Sequence, residues 1–161
     1  MVSEALLATA TVVLVTLSFP LYLHGIWIIL RAEVVTWRVL MRHLRSIGLA
    51  LACTAVPVAG WMVPALFGGR FTSTVGVHVF LALQSYAFLA LGLWGIVPIY
   101  RAKRRHNLYH EPDPDVDLTD LDDRMSHWRR RLRIGVFGHL VLWVLAYLVG
   151  LLLYLQFHVR L

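Results

Sequence analysis

Four long apolar stretches alternate with shorter polar ones along the chain. The first covers residues 5–30, contains no Asp, Glu, Lys or Arg, and stops at Arg31. The others cover about 47–67, 72–100 and 134–157. An apolar run of roughly 20 residues is long enough to cross a bilayer as a helix. The pattern therefore predicts an all-α fold: an integral membrane four-helix bundle forming a single domain over residues 1–161. Glu4 stands where a cleavable signal peptide would carry positive charge, so the first stretch reads as a span.

The connectors are uneven. Between the first two spans, Arg38, Arg42 and Arg45 fall on one helical face and Val34, Trp37, Met41 and Leu44 on another. This spacing predicts an amphipathic helical turn at the membrane surface, or the protruding start of the second span. Pro57 and Pro64 are expected to bend the second span, and Gly68, Gly69 and Arg70 to turn the chain into the third. The one long polar segment, 101–133, passes through an acidic patch from Glu111 to Asp123, with Pro112 and Pro114 at its turn. Thr119 followed by Asp122 resembles a capping box, so a helix is expected to restart there and run unbroken into the fourth span.

Charge sets the expected orientation. Of 15 basic residues, the first connector carries Arg31, Arg38, Arg42 and Arg45, and nine more lie within 101–133; only Arg70 and Arg160 fall on the opposite side. Basic loops are retained in the cytoplasm. That puts 101–133 inside and both termini outside a plasma membrane crossed several times. The net charge of +6 is accounted for in this way, without nucleic acid as a partner. The single cysteine, Cys53, forms no intramolecular disulfide and anchors no cysteine-based metal site.

Eight histidines make up the candidate chemistry. His24 lies six residues before Leu30 and His139 six residues after Arg133. At about 1.5 Å per residue both sit ~9 Å inside the cytoplasmic boundary, on different helices. Matched depth is what a bis-histidine haem b requires, and Gly25, Gly135 and Gly138 are expected to leave room for a flat macrocycle. His78 and His158 form a second pair near the outer face. The competing expectation is that each histidine hydrogen-bonds to Ser18, Tyr22, Gln84 or Tyr147 and holds helices together. His106 and His110 would share a metal only if helical. Asp113, Asp115 and Asp117 open like a calcium loop, but Leu118 replaces the required glycine and Arg124 the closing glutamate, which excludes an EF-hand. No carboxylate lies within a span, and no nucleophile–base or phosphate-loop motif is present, which disfavours an enzyme or a proton pump.

Three stretches carry a family resemblance. They are 24–31 with 37–41, 75–83 around His78, and 127–132 running on to Tyr154. These resemble the CtaM-like small four-helix membrane proteins of cytochrome oxidase maturation, although Trp37 stands where that group tends to carry a histidine. The resemblance implies that His78 and His127 are the transferable haem or metal candidates. Composition is also similar to that of haloarchaeal membrane proteins that accompany respiratory-chain subunits. The resulting expectation is an accessory or assembly factor of a respiratory cytochrome complex, embedded in the bilayer and partnered by that complex. The alternatives are a b-type cytochrome and a permease-like protein.

Overall fold

The computed structural model describes residues 4–68, 72–113 and 116–159. The turn at Gly69 and Arg70, together with Pro114, Asp115 and Arg160, lies outside the described residues, as does the side chain of Thr119. The fold is all-α, 86% helical and without strands among the described residues. Its α-helices are α1 (Glu4–Leu30), α2 (Trp37–Pro57), α3 (Val63–Phe67), α4 (Ser73–Arg105) and α5 (Met125–Tyr154). Among the described residues, four helical segments are long and apolar enough to cross a membrane: Glu4–Leu30, Trp37–Met62, Ser73–Arg105 and Met125–Val159.

The second span starts early and is interrupted. The basic connector is helical from Trp37 and continuous with the span, the second of the two expectations for it. After Pro57, which has no amide hydrogen to donate, the backbone widens into a π-helical turn over Val58–Met62, closed by the Val63 amide on the Val58 carbonyl. The helix expected to restart at Thr119 does not run unbroken. A 3₁₀ turn covers Leu118–Leu121, and α5 begins only at Met125. Asp122 organises this start, its carboxylate accepting from the Arg124 amide at 2.9 Å and its carbonyl from the Met125 amide at 2.9 Å.

Most of the residues that face inward in α1, α2 and α4 are small or hydroxylated, whereas α5 also buries Met125, His139 and Trp143. In α1 they are Ala8, Thr11, Ser18, Tyr22 and Gly25, and in α2 Ser46, Ala50, Thr54 and Pro57. In α4 they are Ser85, Gly92, Gly95, Ile99 and Ala102. Leu23, Phe80, Trp94 and Phe137 are instead more than half exposed. A protein in water buries its large apolar side chains. Where the solvent is as apolar as leucine, helices associate through small residues that allow close approach and through interhelical hydrogen bonds. The pattern of these helices matches that rule.

The described residues form two compact units. The first joins α1, α2, α3, the first turns of α4 as far as His78, and α5 from Tyr147 onward. Within it, α1 and α2 are antiparallel neighbours: the Ser46 hydroxyl donates to the Leu21 carbonyl at 2.7 Å, and Ile47 packs against Gly25. On another side of α1, Thr16 meets the Tyr147 hydroxyl at 2.9 Å and Thr9 the Tyr154 hydroxyl at 3.0 Å. Both partners step by seven residues in opposite directions, so α1 and the end of α5 run antiparallel in register.

The second unit joins residues 33–37 to Val79–Ala146. Here α4 and α5 touch backbone to backbone. A Cβ on Gly135 would collide with the backbone of Gly92, and one on Gly95 would lie 2.7 Å from the Leu132 amide. Beyond this seam, Ile99, Ala102 and the fully buried Met125 form an apolar core with Ile96, Leu121, Trp128 and Leu132. Asn107 takes a left-handed conformation (φ 56°), which ends α4 and turns the chain back. The Tyr109 carbonyl then accepts the Trp37 amide at 2.9 Å.

Candidate functional site

His139 is the one histidine buried among the described residues, 4% exposed on the inner face of α5. Its Nδ1 lies 3.0 Å from the Ser85 carbonyl and 2.8 Å from the Ser85 hydroxyl. A carbonyl can only accept, so Nδ1 carries the hydrogen and the neutral ring keeps its lone pair on Nε2. The Ser85 hydroxyl donates to the His139 carbonyl at 3.2 Å. Two residues thus satisfy each other through side chain and backbone together. The pairing needs the close approach that Gly92 and Gly135 provide. The Tyr86 ring lies 6.3 Å from the imidazole.

The other histidines occupy different settings. His24 is exposed on α1, while its neighbour Gly25, one helical step round, faces α2. His78 is half-buried with its ring seated against Gly150, where a Cβ would fall 2.8 Å from Cε1. His127 is exposed in the first turn of α5. His158 is half-buried and stacks on Tyr154, ring centroids 5.4 Å apart. Sequence reasoning gave no role to His43, whose Nδ1–H donates to the Gly25 carbonyl at 2.9 Å and ties α2 to α1. Its position among Arg38, Arg42 and Arg45 concealed it as one more polar residue on a basic face.

Two expectations are corrected here. The glycines expected to leave space for a macrocycle are closed: Gly25 by Ile47, Gly135 by the Gly92 backbone and Gly138 by the Phe88 ring. They serve close helix packing. His106 and His110 are not a helical i, i+4 pair, because α4 ends at Arg105 and Asn107 reverses the chain between them. His110 instead stacks on Trp37, centroids 6.1 Å apart. No group of three or more metal-ligating side chains occurs among the described residues.

A family model described as Domain of unknown function (DUF7321) matches residues 4–159. The chain belongs to that family. No curated protein and no solved structure matches it. In this DUF7321 member the arrangement can do three things chemically. It locks α4 to α5 through Ser85 and His139, it locks α1 to α2 and to the end of α5 through hydroxyl and imidazole contacts, and it presents large apolar side chains outward.

Proposed function

We propose that this DUF7321 chain is a multi-pass plasma-membrane protein that accompanies a respiratory cytochrome complex or assists its assembly. Both termini lie outside, and the basic ends of α2, α4 and α5 lie in the cytoplasm. One observation carries the membrane part: the most apolar window of each span is only 17–22% buried. The rest of that surface, including Phe80, Trp94 and Phe137, faces lipid or another membrane protein. The inward residues are consumed by packing. The respiratory assignment is supported by the resemblance of 24–31, 37–41, 75–83 and 127–132 to the oxidase-maturation group. The b-type cytochrome finds less support, because the glycines that would admit a macrocycle are filled.

Deletion of the gene tests the proposal. Membranes of the deletion strain should contain less assembled haem–copper oxidase, by reduced-minus-oxidised spectroscopy and oxygen consumption, with recovery on complementation. Unchanged oxidase content and activity would contradict it. Stoichiometric α and β bands in the purified chain would turn the assignment to a cytochrome.

A further inference from the structure

The end of α4 carries a feature that helix packing does not use. Trp37, Tyr100, Arg104, Asn107, Tyr109 and His110 line an open hollow of about 460 Å³. A second hollow adjoins it along α4, lined by Val97, Tyr100, Arg101, Arg104 and Arg105. Tyr100 and Arg104 line both, and neither lining includes a carboxylate. The floor is fixed. Tyr109 is buried and packs against both Tyr100 and Trp37, with centroids 5.5 and 6.3 Å away, and the Trp37 amide is bonded to its carbonyl. Arg104, Asn107 and His110 are exposed around this floor. The hollow therefore presents a guanidinium, an amide and an imidazole between aromatic walls, a donor set suited to phosphate oxygens.

The same face of α4 continues into apolar surface. Leu93, Val97, Tyr100 and Arg104 recur at i, i+4, i+7 and i+11, and Leu93 and Val97 are 54% and 41% exposed. A free phosphate has no use for that strip, whereas an acyl chain does. Tyr100 stands where the apolar run gives way to arginine, the depth that interfacial aromatics occupy. We propose that this hollow seats the phosphate-bearing headgroup of an anionic membrane lipid. Arg104 is its charge partner, Trp37 and Tyr100 its walls, and the acyl chains lie along Val97 and Leu93. The site rests on reading α4 as a membrane span, not on the respiratory assignment.

Native mass spectrometry of the detergent-purified full chain tests it, with phosphatidylglycerol, phosphatidylcholine and inorganic phosphate as probes. Phosphatidylglycerol should be retained with about tenfold preference over phosphatidylcholine, and Arg104→Gln should remove most of that preference. Arg130→Gln, which loses the same charge from exposed α5, should keep it. Millimolar inorganic phosphate should not displace the lipid. Equal retention of the two lipids, equal loss in both variants, or displacement by phosphate would each overturn the lipid site. A carbonate wash of cell membranes separates the failures: a chain released by the wash defeats the span reading and the site together. A chain that stays embedded without lipid preference defeats the site alone. Arg104 is exposed, so the variant should fold, and an unchanged helical circular dichroism spectrum checks this.

Discussion

Gly92 and Gly135 face each other across the α4–α5 seam, and they are not equivalent. A Cβ on Gly92 would meet Gly135 at an ordinary 3.5 Å, whereas a Cβ on Gly135 would run into the Gly92 backbone and lie 2.7 Å from the Phe88 carbonyl. The backbone of α4 cannot move aside as a flexible side chain can.

Gly135→Ala should therefore force the helices apart and lower stability by roughly 2 kcal/mol or more, while Gly92→Ala stays near neutral. Gly48→Ala, with nothing within 4 Å of the added carbon, should be neutral or stabilise by up to about 1 kcal/mol through helix propensity. Thermal unfolding of the three variants in one detergent checks the order. A Gly135→Ala variant as stable as Gly92→Ala would mean that the seam is looser than described.

The Ser85–His139 pair predicts a second asymmetry. Ser85→Ala removes the hydroxyl but leaves the Ser85 carbonyl to accept the His139 Nδ1–H, so the loss should be near the ~0.6 kcal/mol of an average interhelical hydrogen bond in a membrane protein. His139→Ala removes both interhelical bonds of the ring and leaves a cavity, at about 2–3 kcal/mol. Chemical denaturation in mixed micelles separates the two. Equal losses would show that the backbone carbonyl does not hold the imidazole.

The contacts of Thr16 with Tyr147 and Thr9 with Tyr154 form a ladder with seven-residue steps. A double-mutant cycle of Thr16→Val and Tyr147→Phe should give a coupling of roughly 0.6 kcal/mol, below about 1.7. Tyr147 also packs edge-on against Phe19, with centroids 4.9 Å apart, and Tyr147→Phe preserves that contact. Zero coupling would mean that the hydroxyl contact adds nothing and that Tyr147 acts here through its ring contact with Phe19.

Burial, with a smaller contribution from Tyr100, holds the Tyr109 phenol above its ordinary value of 10.0. A raised acid pKa means that the protonated form is favoured by folding. Its contribution is complete below pH 10 and is lost as pH climbs through the higher folded value. The difference in 295 nm absorbance between the native chain and Tyr109→Phe should titrate above pH 10. Above that pH, the native chain should lose stability faster than the variant. A midpoint at or below 10 would contradict the buried setting of Tyr109.

Much of the fold is readable from charge and length. The run at 5–30 without a charge leaves a helix little alternative, and α1 spans Glu4–Leu30. The ends were harder to read. Thr119 and Asp122 have the spacing of a capping box, yet Asp122 caps one turn later, because Met125 is drawn into the core beside Ile99 and Ala102. The candidate site was legible only in part. The expected partners for histidine included Gln84 but not Ser85, one residue on. That step rotates a side chain about 100° round a helix, and only the seam formed by Gly92 and Gly95 shows which of the two faces α5. Averaged hydropathy also hides the stripes of Gly, Ala, Ser and Thr that bind these helices, because such residues score as weak versions of their neighbours.

The most direct test of the account is whether the chain migrates with a respiratory complex. An epitope-tagged copy expressed at native level, solubilised in mild detergent and run on a native gel, should comigrate with haem–copper oxidase or an assembly intermediate of it. The comigrating species should disappear in an oxidase deletion strain. A chain that runs only at the mass of its own micelle, unaffected by the presence or absence of the oxidase, would contradict the account.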